Sequence, residues 1–178
     1  MTKFSIPSKA QASVENQKTF DNMEKSLGFV PNIYAYMSHS ETALKDYLQL
    51  SNRKTSLSIK ELEVVNLVTS QINGCQYCLG AHTMIAKNNG FTDEQIVETR
   101  KGTASYDERL DVLAKFTQEA VANRGQVSEA QKEAFFGAGF TQENLVDVVV
   151  LIGDRTITNL LHNLADFAID FPLAKEID

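Results

Sequence analysis

The sequence predicts an all-α single domain, and three observations carry that expectation. Its three prolines are Pro7, Pro31 and Pro172, so residues 32–171 contain none of the residue that most strongly breaks helices. Apolar side chains recur at helical spacing, most clearly over 106–122, where Leu110, Val112, Leu113, Phe116, Ala120 and Val121 form one stripe. Helix-start signals punctuate the chain, whereas the strict alternation of a half-buried strand is hard to find. At 178 residues the chain is long enough to bury a core. One domain is expected over 1–178, with residues 1–27 as an N-terminal helix and lead-in and 28–170 as the core.

The first helix is expected over 8–27, followed by Gly28-Phe29-Val30-Pro31-Asn32 as a stiff turn. Helices over 32–38 and 41–53 come next. A fourth, over 59–73, opens on Ser58 with Glu61 as a capping box and Leu57 with Leu62 as its hydrophobic staple. Gly74 ends it, and a fifth runs over 76–88. Thr92 with Gln95, stapled by Phe91 and Ile96, places the sixth at 93–101. The seventh spans 106–123, and Ser128 with Gln131 opens the eighth at 129–137. The last and longest is expected over 142–170. The segment 90–98 resembles 139–147, 49 residues later, each spelling a helix stop, a staple and a new N-cap. A duplicated helical unit and a local rule used twice would both produce it.

Composition narrows the function classes. A hydrophobic share of 43% and a charged share of 22% exclude a largely disordered chain. The 17 basic and 23 acidic residues leave a formal charge of −6 with no basic run, a poor match for nucleic acid or an anionic membrane. The first twenty residues lack the apolar core of a signal peptide or anchor, and no apolar stretch approaches the roughly 18 residues of a spanning helix. A soluble, cytoplasmic protein is expected. No Gly-x-Gly-x-x-Gly or other nucleotide-binding loop is present, so no cofactor is expected.

The two cysteines, Cys75 and Cys78, stand together in Asn73-Gly74-Cys75-Gln76-Tyr77-Cys78-Leu79-Gly80-Ala81-His82. With no further cysteine for a disulfide framework, a reactive dithiol and a metal site are the readings that matter. Geometry favours the dithiol. Both cysteines fall at the start of a new helix, where the dipole and unpaired N–H groups stabilise a thiolate. A three-residue helical step separates Cα atoms by roughly 5 Å, inside the disulfide range of about 4.4–6.8 Å. His82, four residues after Cys78, shares its face. If helices 59–73 and 76–88 fold back about Gly74, Glu63 lies about 14 Å from the turn, His82 about 10 Å and Cys78 about 5 Å. That order suggests a relay from carboxylate to imidazole to Cys78.

Glu63, Cys75-x-x-Cys78 and His82, at this spacing, resemble the signature of AhpD-like alkylhydroperoxidases within the carboxymuconolactone decarboxylase superfamily. Phe29-Val30-Pro31-Asn32 and the long last helix resemble the peroxidase-related members of that group, so the likeness covers about residues 25–170. The resemblance implies an all-helical multi-helix bundle, assembled as homotrimers or homohexamers with the site near subunit contacts. It implies a thiol-dependent peroxidase in which Cys78 is the peroxidatic thiolate, Cys75 the resolving thiol, and His82 with Glu63 the proton relay. The implied electron donor is a thioredoxin-like or lipoyl-type protein. The sequence departs at Tyr77, where some members carry a second histidine; a tyrosine donates a hydrogen bond but is not a proton carrier at neutral pH.

Other readings of the same residues stay open. The cysteines could be small buried hydrophobes, or Glu63, Cys75, Cys78 and His82 could hold zinc in a non-catalytic oligomeric module, although no second Cys/His pair accompanies them. A protein dithiol–disulfide oxidoreductase and decarboxylase or lactone chemistry are further alternatives, the last having no need of a dithiol. Tyr77 reads as a pocket wall or as packing, Gly80 and Ala81 as a close helix contact, and His39 as surface. In the last helix Asp154, Thr158, His162 and Asp166 recur every four residues beside a row of Arg155, Asn159 and Asn163. Those rows are expected to form a polar subunit seam or solvated face, with His162 or Asn159 bordering the pocket as the sharper alternative.

Overall fold

Side chains that cap backbone N–H groups fix where most of the helices begin. The computed structural model describes residues 4–177, and among them nine α-helices and one short 3-10 turn form an all-α fold. The helices are α1 (Val14–Leu27), α2 (Asn32–Met37), α3 (Ala43–Ser51), α4 (Ile59–Ile72) and α5 (Gln76–Asn88), followed by α6 (Asp93–Arg100), α7 (Glu108–Ala122), α8 (Glu129–Gly137) and α9 (Gln142–Ala165). The side chains of Ser58, Thr92, Ser128 and Thr141 each accept from the backbone N–H three residues on, opening α4, α6, α8 and α9. The two similar segments at 90–98 and 139–147 are thus helix junctions of the same local build.

Two expected spans differ. Residues 8–27 are not one helix: a 3-10 turn at Lys9–Gln11 gives way to an extended Ala12, and Ser13 then caps α1 by accepting from Asn16 N–H. The Ser8 hydroxyl donates to Gln11 Oε1 at 2.9 Å while Ser13 Oγ accepts from the Asn16 N–H at 3.2 Å, and such local bonds favour a cap over a helix interior. The last helix stops at Ala165 instead of 170. Asp166 adopts a left-handed conformation at φ 45°, and its N–H closes on the His162 carbonyl at 2.8 Å. The chain then turns back so that the Phe167 and Phe171 rings pack edge-on against Tyr77.

Helix α4 is the hub, touching α5, α6, α7 and α9. Its Val64, Val65, Leu67 and Val68 are buried in a core shared with Leu113, Phe116, Phe135, Phe140 and Val148. A smaller core joins Phe20, Met23, Ile33, Leu44 and Tyr47 to Cys75, Tyr77, Cys78 and Phe167. The sulfurs therefore belong to the smaller core, beside the hub helix. The face of α9 carrying Val146, Val149, Ile157, Leu160 and Leu164 is exposed. No single helix among the described residues is long and apolar enough to cross a membrane.

The segment after α9 straps α5. The Asn32 backbone N–H donates to the Asp170 carboxylate at 2.6 Å, and Arg100 Nη1 donates to the Lys175 carbonyl at 2.6 Å. Gly80 is the point of closest approach: a Cβ there would stand 2.8 Å from the Pro172 carbonyl oxygen and 3.4 Å from Phe171 Cβ. The close contact expected at Gly80 is therefore with this strap and not with another helix. Gly80→Val should overpack this contact, costing about 2 kcal/mol and roughly 4–8 °C in melting temperature. Limited proteolysis should then cleave the C-terminal segment sooner than in the unsubstituted protein. Equal melting and cleavage would show that the strap gives way freely.

Candidate active site

The site begins at the turn between α4 and α5. Asn73 closes α4, Gly74 takes φ 67°, and Cys75 becomes the N-cap of α5. Its own N–H donates to the Ser70 carbonyl at 3.0 Å, and its Sγ accepts from Cys78 N–H at 3.3 Å. Cys78 then lies in the first turn of α5, among N–H groups that have no helical partner. The two Sγ atoms are 2.8 Å apart, within bonding reach without backbone rearrangement.

That contact decides which sulfur is charged. The Cys75 thiol donates to Cys78 and is the largest influence holding Cys78 below the ordinary thiol value, at about 6. Burial opposes it, while the Arg155 guanidinium and the Thr158 and Asn159 side chains reinforce it. The same hydrogen bond, together with burial, pushes the Cys75 thiol far up. At neutral pH Cys78 carries the charge and Cys75 the proton.

Glu63 and His82 meet across the α4–α5 hairpin, with Glu63 Oε2 2.8 Å from His82 Nδ1. Burial alone would raise the Glu63 carboxyl, but His82, the Asn66 amide and Arg155 outweigh it and hold it low. A carboxylate at Nδ1 orients the ring and leaves Nε2 for proton exchange. From Glu63 a second line of contacts returns to the sulfur. Asn66 Nδ2 donates to Glu63 Oε1 at 3.2 Å, and Arg155 Nε donates to Asn66 Oδ1 at 3.1 Å. Arg155 Nη1 donates to Thr158 Oγ1 at 3.3 Å, and Thr158 Oγ1 is 3.7 Å from Cys78 Sγ.

Glu63, Cys78 and His82 line one cavity of about 630 Å³, and Cys75 touches Cys78 from outside that lining. The remaining wall is mostly apolar, including Leu27, Phe29, Leu62, Met84, Val150 and Phe171. Tyr77 is part of this wall and also a tie. Its hydroxyl donates to Asp170 at 2.6 Å and accepts from Ile33 N–H at 3.2 Å, joining α5 to the strap and to α2. Burial, with the Asp170 carboxylate next in weight, pushes its phenol up, so it stays neutral.

The polar rows of α9 require correction. Asp154, Thr158, Asn159 and His162 are buried within this chain rather than spread along a seam or solvated face. Thr158, Asn159 and His162 find hydrogen-bond partners within the chain, whereas Asp154 Oδ1 is buried without one. Asn159 braces the Gly74 turn, accepting from Asn73 Nδ2 at 2.9 Å and donating to Ser70 Oγ at 3.3 Å. His162 packs on the Tyr77 ring with its Nε2 3.1 Å from the Phe167 carbonyl. Neither Asn159 nor His162 lines the cavity; Asp154, Arg155 and Thr158 do. Asp166 and Asn163 are exposed, as is His39, whose Nε2 lies 2.8 Å from the Ser5 carbonyl. Sequence reasoning missed Asn66, Arg155 and Thr158 as parts of the site. Asn66, one turn beyond Glu63, was the legible signal. Among the described residues no group of three or more His, Cys, Asp or Glu side chains is placed to hold a metal ion.

Comparisons with known proteins agree with this helical architecture. The carboxymuconolactone decarboxylase family matches residues 40–119. The alkyl hydroperoxide reductase AhpD of Mycobacteroides abscessus is 42% identical over 41 residues, which span 23% of this chain and 23% of that relative. A peroxidase-related protein of Ralstonia eutropha with an AhpD core superposes with a TM-score of 0.83 at 20% identity, covering 93% of this chain and 90% of the other. A debrominase in complex with 2,3,4-tribromopyrrole superposes at 0.78 with 15% identity, covering 96% and 92%. The fold is therefore shared by proteins of different chemistry.

Alkylation of the reduced protein with iodoacetamide should be half-maximal near pH 6 at Cys78. Cys75→Ala removes the thiol that donates to the thiolate, so the midpoint should rise toward the free-cysteine value of about 8.5. An unmoved midpoint would assign the low value to Arg155 and the helix end instead.

Proposed function

For this AhpD-like member of the carboxymuconolactone decarboxylase superfamily, we propose a thiol-dependent peroxidase activity that reduces organic hydroperoxides through a Cys75–Cys78 dithiol–disulfide cycle. One observation carries the reading: a sulfur held as thiolate opens into an apolar cavity while a protonated thiol stands 2.8 Å from it.

The cycle follows from those positions. The Cys78 thiolate attacks the terminal oxygen of ROOH, an S–O bond forms and the O–O bond breaks. Sulfur is oxidised to the sulfenic acid, and the peroxide is reduced to RO⁻. His82, its Nδ1 held by Glu63, supplies the proton that converts RO⁻ to ROH. The Cys75 sulfur then attacks the sulfenic acid, its proton leaves with the hydroxyl as water, and the disulfide closes. A donor dithiol returns two electrons and two protons. Cys75 is fully buried and Cys78 is 2% exposed, so a slender lipoyl-type arm entering the cavity suits the site better than a broad thioredoxin-like surface.

Three rival readings receive less support. A protein dithiol–disulfide oxidoreductase would present its nucleophile at the surface, whereas Cys78 faces a cavity of small-molecule size. Decarboxylase or lactone chemistry leaves the dithiol without a task. A zinc module needs Glu63 as a ligand, and that carboxylate is engaged by His82 and Asn66. The reading includes a cytoplasmic setting, where thiols stay reduced. It also includes self-association as a homotrimer or homohexamer, supported by the exposed apolar face of α9.

One equivalent of cumene hydroperoxide should consume two thiols per reduced chain. Cys78→Ser should abolish the reaction, Cys75→Ser should leave a sulfenic acid that dimedone traps, and His82→Ala should slow turnover by about 100-fold. Undiminished peroxide consumption by Cys78→Ser would sink the proposal. For assembly, Leu160→Glu places a charge in the exposed α9 face and should shift light-scattering mass toward a smaller species. An unchanged mass would remove that face from the contact.

A further inference from the structure

Two arginines line the cavity among the described residues, and their situations differ. Arg53 is committed to α9, with Nη1 2.6 Å from Asp147 Oδ1 and Nη2 3.3 Å from the Asp147 carbonyl. Arg155 has only a loose ion pair, without a hydrogen bond, to Asp154. Its nearest carboxylate, Asp154, stands 3.8 Å from Nη2, beyond hydrogen-bond distance. Nε and Nη1 donate to the neutral oxygens of Asn66 and Thr158. A guanidinium has five N–H donors, so those on Nη2 lack a hydrogen-bond partner among the described residues. The side chain is 11% exposed, in a cavity that it lines. One hydroxyl, Thr158 Oγ1, stands between it and Cys78, at 3.3 Å and 3.7 Å respectively.

We propose that Arg155 is a further catalytic residue, its free Nη2 donating to the hydroperoxide oxygens while Cys78 attacks; this rests on the peroxidase reading above. Attack moves one negative charge from sulfur across the forming S–O bond to the leaving oxygen. A fixed cation beside the sulfur balances that charge at both ends of its path without reorganising. His82 supplies the proton to the same leaving oxygen, so the two residues divide the work: Arg155 holds charge and His82 neutralises it.

The other titratable groups around Cys78 cannot take this part. Glu63 and Asp154 are carboxylates, and Cys75 retains its proton. Tyr34, Tyr47 and Tyr77 are buried phenols pushed up by desolvation. His82 faces Glu63 through Nδ1.

The test separates holding the peroxide from lowering the thiol pKa. Single-turnover rates of Cys78 with cumene hydroperoxide and with iodoacetamide are measured from pH 5 to 10 in the full chain and in Arg155→Met, Arg155→Lys and Thr158→Val, each checked for native helical content. Arg155→Met should move the alkylation midpoint upward. At pH 9.5, where Cys78 is ionised in every protein, its iodoacetamide rate should be normal while its peroxide rate stays on the order of 100-fold low. Arg155→Lys keeps the charge without the fork, so its midpoint should recover more fully than its peroxide rate. Thr158→Val leaves the guanidinium in place and should lose less than tenfold, which covers the case in which Arg155→Met fails to fold: a 100-fold loss there would transfer the role to Thr158 and overturn the assignment. Full recovery of the peroxide rate of Arg155→Met at pH 9.5 would likewise reduce Arg155 to an influence on the thiol. If the full chain alkylates near neutral pH yet spares hydroperoxide, the peroxidase reading falls and takes this assignment with it; a normal full chain with a recovered variant sinks the assignment alone.

Discussion

The constraint on which this structure depends is the burial of one negative charge at Cys78. A sulfur with 2% exposure cannot rely on water to stabilise a thiolate, so the protein must supply donors and a cation from fixed positions. Those come from three directions. The helix start offers the positive end of its dipole, Cys75 offers its S–H, and α9 offers the Arg155 guanidinium, with Thr158 Oγ1 3.7 Å from the sulfur. Each depends on a different part of the fold. The Gly74 turn sets the helix start, the three-residue step sets the Cys75 contact, and the packing of α9 against α4 and α5 sets the rest.

Because these supports differ in sequence range, they differed in how visible they were. Glu63, Cys75, Cys78 and His82 all lie on one helical hairpin. A rise of about 1.5 Å per residue and one break at Gly74 suffice to place Glu63 level with His82. The hydrogen bond between them is the consequence. Arg155 and Thr158 lie about eighty residues further on, and nothing local ties them to the cysteines. A row of polar residues at four-residue spacing looks the same whether it meets solvent, another subunit or a buried charge, so the α9 row could be seen but not placed. The exposed apolar face of that helix shows the same ambiguity from the other side. Helix spans failed for a related reason. Propensity carried the first helix through Ala12 and the last to residue 170. In the folded chain, serine capping interrupts the one, and aromatic burial around Tyr77 turns the other back.

Tyr77 shows how a substitution at one site position can change what that position does. A histidine between the cysteines would add a titrating group beside the thiolate. Tyr77 instead remains neutral and uses its hydroxyl to bond Asp170 and the Ile33 N–H. Its ring packs on His162, Phe167 and Phe171, so the α5 wall of the cavity and the C-terminal strap are held as one body. Phe171, carried by that strap, is itself part of the cavity wall. Position 77 thus contributes shape and rigidity, and in the proposed cycle the proton is handled by His82 with Glu63.

The same charge argument runs through the whole proposed cycle. In the reduced state the thiolate balances Arg155. Once the disulfide has closed, the sulfur charge is gone and the guanidinium is left with Asp154 at 3.8 Å as its nearest anion. That cation, paired only loosely with Asp154, favours any step that returns negative charge to Cys78. When a donor thiolate attacks the disulfide at Cys75, Cys78 is the leaving group, and the cation and helix start that made it a good nucleophile make it a good leaving group. Attack at Cys78 would instead expel the Cys75 sulfur, which burial and its contact with Cys78 hold far from ionisation. The electrostatics thus favour attack at Cys75, while the cavity presents only Cys78, so this route requires the site to open around Cys75.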